Sequence, residues 1–87
     1  MDGGDLRGLG VRPGQRVRFR PHPGARWREG RATGLERDGS VGVVDARGLA
    51  RALPVDRLEV RTAGRAGAAR WEPLADVAAR TEQLDLF

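Results

Sequence analysis

Arginine is the side chain best placed to do chemistry in this chain. There are 16 arginines among 87 residues and no lysine. Arg18, Arg20, Arg26 and Arg28 gather around Trp27, with further arginines at positions 16, 31, 37 and 51. Guanidinium groups fork onto phosphate oxygens, and an exposed indole stacks on a base. Arg18, Arg20, Arg26, Trp27 and Arg28 are therefore candidate nucleic-acid contacts. The plainer alternative is a solvated exterior with Trp27 half-buried against Phe19. Exclusive use of Arg, together with abundant Ala and Gly and no Ile, Tyr or Asn, also fits the compositional bias of a GC-rich genome. Net charge alone is then a weak argument for a nucleic-acid partner.

Other chemistries are short of residues. There is no Cys, which rules out disulfides and thiolate zinc sites, and the single His22 stands between Pro21 and Pro23 without partner ligands. Hydroxyls are confined to Thr33, Ser40, Thr62 and Thr81, and none lies in a nucleophile motif. No glycine pattern opens a helix as a phosphate loop must. Two Trp, two Phe and no Tyr are too few walls for a methyl-ligand cage or a proline-peptide groove. The chain is expected to be non-enzymatic, with no cofactor and no metal.

The elements that must position these residues are small. Beyond alanine the chain has nine Leu, eight Val, two Phe, two Trp and one Met to build a core, enough for one compact domain. No apolar run approaches membrane-spanning length, and residues 1–10 are acidic and glycine-rich with no apolar stretch, so neither a membrane helix nor a signal peptide is expected. A cytoplasmic location follows as the expectation. Net charge is +4, split between 15 Arg and eight acids (+7) over residues 1–70 and one Arg and four acids (−3) over residues 71–87.

Residues 1–10 have no pattern and are expected to be flexible. Pro13-Gly14 signals a turn, followed by alternation over 15–20 with Val17 and Phe19 opposite Arg16, Arg18 and Arg20. A rigid loop, Pro21 to Gly24, leads to a second strand over 27–35, weakened by Gly30 and Gly34. Asp38-Gly39 signals a hairpin into a third strand at 41–44, and a turn at 45–48 leads to a fourth at 49–53. Residues 54–58 suit one 3₁₀ turn, with a short fifth strand at 59–61 and Asp56 or Glu59 pairing with Arg57 or Arg61. Residues 62–69 are small and read as a linker. Pro73 at a first helical position, and Leu74, Val77, Ala78 and Thr81 at helical spacing, predict a helix within 70–82. Trp71 is expected to pack the helix start onto the strands.

This pattern over 11–61 resembles the SH3-like small barrels, including KOW- and Tudor-type modules. It rests on Pro13-Gly14-Gln15-Arg16-Val17 at its start and Leu53-Pro54-Val55-Asp56-Arg57-Leu58 at its end. The resemblance implies a mainly β fold, a five-stranded SH3-like barrel with a C-terminal α-helix and a short tail. It implies no function by itself.

The tail carries the sharpest signal. Gln83-Leu84-Asp85-Leu86-Phe87 resembles the pentapeptide Gln-Leu-(Ser or Asp)-Leu-Phe by which bacterial polymerases and repair proteins bind the β sliding clamp, and all five positions match. A given five-residue window fits by chance on the order of once in 10⁵–10⁶ at ordinary amino-acid usage. The resemblance implies that Gln83 hydrogen-bonds at the polar edge of the clamp's pocket. Leu84 would lie on a shallow apolar surface, Leu86 and Phe87 would fill the deep subsite, and Asp85 would face solvent. Three apolar anchors offset the ordering of a short peptide by a modest margin, so affinity of about micromolar order is expected. An intramolecular alternative stays open: Leu84 continues the helical face of Val77, and Phe87 follows Leu84 at i+3, as in a last helical turn packed on the strands.

The combined expectation is an adaptor or accessory factor of DNA replication or repair, tethered to the clamp, with weak DNA contact from its basic body. The alternative is a KOW-like RNA- or DNA-binding module, or a protein-interaction module, whose tail is structural.

Overall fold

The computed structural model describes residues 5–84, without the side chains of Arg65 and Leu84. It is a mainly β fold: six antiparallel strands in one open sheet, with a C-terminal helix. The strands are β1 (Arg16–Phe19), β2 (Arg28–Leu35), β3 (Val41–Asp45), β4 (Ala50–Leu53), β5 (Leu58–Ala63) and β6 (Ala69–Pro73), ordered β4-β3-β2-β1-β5-β6. The helix, α1, spans Leu74–Leu84.

Alternation in the central strand sorts the sheet into two faces. Val17 and Phe19 of β1 are buried, and their cross-strand partners Val60 and Leu58 are buried with them. Ala32, Val41 and Val43 extend this face, and Leu6, Val11, Leu74 and Val77 cover it. Arg16 and Arg18 occupy the opposite, outer face, where Arg18 is in register with Glu29 on β2 and Glu59 on β5. The Pro13-Gly14 turn is fastened to both neighbours of β1. Gly14 donates its amide to Ala32, and the Gln15 side chain donates to the Arg61 carbonyl at 3.0 Å.

Strands one to four and the 3₁₀ turn (Val55–Arg57) lie where the sequence places them, to within a residue or two. Three regions differ. The segment expected to be flexible over 1–10 holds a 3₁₀ helix at Leu6–Leu9, with Leu6 only 2% exposed in the core. Its first turn is capped by the Asp5 carboxylate, which accepts from the Arg7 amide, and Gly10 ends it at a left-handed φ of 81°. One large apolar side chain and one glycine suffice for so short an element, leaving no periodicity to read.

The second difference is the linker expected over 62–69. β5 runs on to Ala63, a tight turn reverses the chain, and β6 pairs back from Ala69. Ala66 and Gly67 take left-handed φ values of 57° and 78° in that turn, and the Gly64 amide bonds the Ala68 carbonyl. The sheet thus has a sixth strand, and the expectation of five strands is corrected. Third, residues 70–73 are strand instead of helix, and α1 begins at Leu74 and continues through Leu84, beyond the expected end at 82. Leu74 and Val77 anchor α1 in the core, and Thr81 is half-buried beside Gly10. No helix among the described residues is long and apolar enough to cross a membrane.

Candidate functional site

The outer face of β1, β5 and β6 carries a ladder of alternating guanidinium and indole groups. The Arg18 guanidinium carbon is 4.2 Å from the centroid of Trp27 and 4.9 Å from that of Trp71. Arg20 lies over Trp27 at 4.4 Å, and Arg61 over Trp71 at 5.1 Å. The order Arg20, Trp27, Arg18, Trp71, Arg61 follows from register. Arg18 and Arg20 are two apart on the outward side at the end of β1. Trp27 leads into β2 beside them, and Trp71 on β6 is directly across from Arg61 on β5. Each such contact contributes about 0.5–1 kcal/mol at a partly exposed site.

Carboxylates sort the arginines into fixed and unpaired. Glu59 accepts a hydrogen bond from Arg18 Nε at 2.7 Å and forms an ion pair with its Nη2 at 2.5 Å, with both side chains about three-quarters buried. This replaces the expected pairing of Glu59 with Arg57 or Arg61: the β1–β5 register puts Arg18 opposite it. Glu29 is taken by Arg16 at 2.5 Å in an exposed pair. Arg31 donates to the Gly14 carbonyl at 2.9 Å. Among the described residues, neither Arg20 nor Arg61 has a carboxylate within ion-pairing distance. The ladder is therefore pinned at its centre, while among the described residues the arginines at its ends have no ion-pair partner.

A recess of about 320 Å³ opens beside the Arg20 end. Trp27 and Pro73 form apolar walls, and Arg20, His22, Asp56 and Arg57 supply polar ones. Arg57, which also lines the recess, donates to the Pro21 carbonyl at 3.4 Å.

Of the residues singled out from sequence, Arg18, Arg20 and Trp27 come together here. Trp27 is 37% exposed, and its ring contacts are with Arg18 and Arg20 on the face opposite Phe19. Arg26 is exposed in the loop before Trp27. Arg28 is in register with Phe19, so alternation assigns it to the other side of the sheet, where it borders a recess with Asp45 and Arg51. Trp71 and Arg61 were not among the sequence candidates. Trp71 sits on β6 against Arg18 and Arg61, and not at a helix start. The available signal was Trp71 flanked by Arg70 and Glu72 after a glycine-rich turn, a short polar–apolar alternation.

One acid away from this face, Asp45, shapes the frame. Asp45 accepts from the amides of Leu49 and Arg47 and from Arg51 Nε, and the Leu49 amide first among these holds its carboxyl below the ordinary aspartate range. Arg51 in turn lies 5.4 Å from the Phe19 ring centroid, closing one side of the core. Among the described residues, no group of three or more His, Asp or Glu could hold a metal ion.

In the clamp-like pentapeptide, Gln83 is exposed on the last turn of α1 and Leu84 is the helix's final residue. Asp85, Leu86 and Phe87 lie outside the described residues. Comparison of the chain with protein-family models, curated proteins and solved structures finds no match.

Proposed function

We propose that this protein is a small, non-enzymatic adaptor that binds the bacterial DNA polymerase sliding clamp through Gln83-Leu84-Asp85-Leu86-Phe87, with weak DNA contact from its arginine-rich outer face. The observation that carries this reading is the match at all five positions of the pentapeptide. Support comes from α1, which is fastened by Leu74 and Val77 near its start while Gln83 stands exposed at its end. A contact of about micromolar order to the clamp and a second weak contact to DNA reinforce each other, because the tether raises the effective concentration of each site. The setting is replication or repair in the cytoplasm.

The body is read as an SH3-like unit extended by a strand. The order β4-β3-β2-β1-β5, with a 3₁₀ turn between β4 and β5, supports this, and β6 adds to the edge of β5.

The test is calorimetric titration of the full chain and of a form ending at Asp85 with a purified bacterial β clamp. Binding of about micromolar order by the full chain is expected, lost on removal of Leu86 and Phe87, with Tm nearly unchanged. A shortened form that no longer folds would make the tail part of the core and sink the adaptor reading. The second reading, a KOW-like nucleic-acid module with a structural tail, is favoured by the inclusion of Gln83 and Leu84 in α1. It predicts salt-sensitive nucleic-acid binding with no affinity for the clamp.

A further inference from the structure

We propose that the recess beside Trp27 is a nucleotide subsite for single-stranded DNA, in which a base takes the place of Arg20 against the indole and Arg20 and Arg57 grip the adjoining phosphate. The proposal rests on the nucleic-acid half of the reading above, and its choice of DNA over RNA draws on the clamp half.

The asymmetry of the ladder carries it. Trp27 is contacted by two guanidinium groups of different standing. Arg18 is locked to Glu59 by a hydrogen bond and a close ion pair and cannot leave without stranding a largely buried carboxylate. Arg20 has no carboxylate partner among the described residues, so only its contact with the indole holds it, and a contact of that kind is readily exchanged. A nucleobase offers the indole a larger stacking partner than one guanidinium does, and the displaced Arg20 swings to a phosphate, where it gains a charge-assisted forked bond.

The recess suits that exchange. It lies directly off Trp27, has Pro73 as a second apolar wall, and its volume of about 320 Å³ accommodates one nucleoside. Arg20 and Arg57 outweigh Asp56, the one lining carboxylate without an arginine partner among the described residues, because Glu59 is already spent on Arg18. The excess is positive, as a phosphate requires.

Single strands are favoured over duplex because the indole reads the face of a base, which pairing and stacking in a duplex keep covered. The groups lining the recess suit either sugar, and DNA is chosen because a clamp-tethered protein meets DNA.

The test uses the full chain without clamp and fluorescence anisotropy of three labelled probes: a mixed-sequence single-stranded DNA 12-mer, its duplex, and the RNA of the same sequence. The single-stranded DNA should bind more tightly than the duplex. Trp27→Ala should weaken single-strand binding by about 5- to 100-fold, while Trp27→Phe, which keeps a stacking surface, should retain most of it. Arg20→Ala should weaken binding and make it less steep in salt by about one phosphate contact. Melting curves check that each variant is folded, which is expected because Trp27 lies outside the core. Equal single-strand binding by Trp27→Ala and the parent overturns the subsite alone. Duplex bound as tightly as single strand, or RNA bound more tightly than DNA, overturns the choice of ligand. A parent protein that binds none of the probes overturns the whole nucleic-acid reading and leaves clamp binding to its own titration.

Discussion

Thr62 on β5 donates its hydroxyl to the Glu72 carboxylate on β6 at 2.6 Å, and the same carboxylate accepts from Arg80 on α1 at 3.0 Å. Arg70 adds a third contact, the second positive one, at 3.3 Å. One acid thus ties the added strand to the sheet on one side and to the helix on the other. The Thr62 hydroxyl first, then the Arg80 hydrogen bond, hold the Glu72 carboxyl below the ordinary glutamate range, against the opposing pull of partial burial.

A pH dependence follows, with a definite sign. A carboxyl whose folded-state pKa is depressed takes up a proton more readily when the chain unfolds. Its contribution is complete above the unfolded glutamate value and fades as pH falls toward the folded value. Glu72→Gln should lower Tm at pH 7 by roughly 4–8 °C. That deficit should shrink once pH drops below about 4, the range where unfolded glutamates protonate. Thermal melts of both proteins from pH 7 to pH 3 would show this, and a gap that stays constant to the acid end contradicts it.

Gly10 should resist replacement for two separable reasons. Its φ of 81° disfavours any side chain, and a Cβ built there stands 2.3 Å from Thr81 Oγ1 and 3.0 Å from Val77 Cγ1. Gly10→Ala should cost about 1–3 kcal/mol by urea denaturation. Combining it with Thr81→Ala should recover the crowding part and leave the backbone part. A double variant no better than the sum of its two single changes would refute the close approach of Gly10 to α1.

Leu6 tests the N-terminal segment. Full burial of this side chain in the core implies a loss of about 2–5 kcal/mol for Leu6→Ala. A loss below about 0.5 kcal/mol, the ordinary range for surface substitutions, would mean that the 3₁₀ helix is not docked.

Legibility in the sequence tracked how local the cause of each feature was. β1 is announced by Pro13-Gly14 and by Val17 and Phe19 alternating with arginines, and the β2–β3 hairpin by Asp38-Gly39. Both signals act within a few residues. The sixth strand escaped because its turn uses Ala66 in a left-handed conformation where glycine or asparagine would mark it, within a run of small residues that resembles a linker. Leu6 escaped because a single buried leucine makes no pattern. The same division applies to the candidate site. Arg18, Arg20 and Trp27 are close in the chain and were found together. Trp71 and Arg61 join them only through the β5–β6 register and the position of β5 next to β1, which are long-range facts. Arg28 was grouped with the site by proximity and separated from it by alternation.

Among the described residues no strand pairs with the outer edges of β4 and β6, and such rows of backbone donors and acceptors invite a strand from another molecule. Both rims are blunted. β4 has four residues, carries Arg51 and runs directly into Pro54, while β6 has five and ends in Pro73. Proline supplies no amide hydrogen, and so short a row offers an incoming chain few bonds to set against the entropy of being ordered. The open sheet thus presents short, proline-ended rims to other chains.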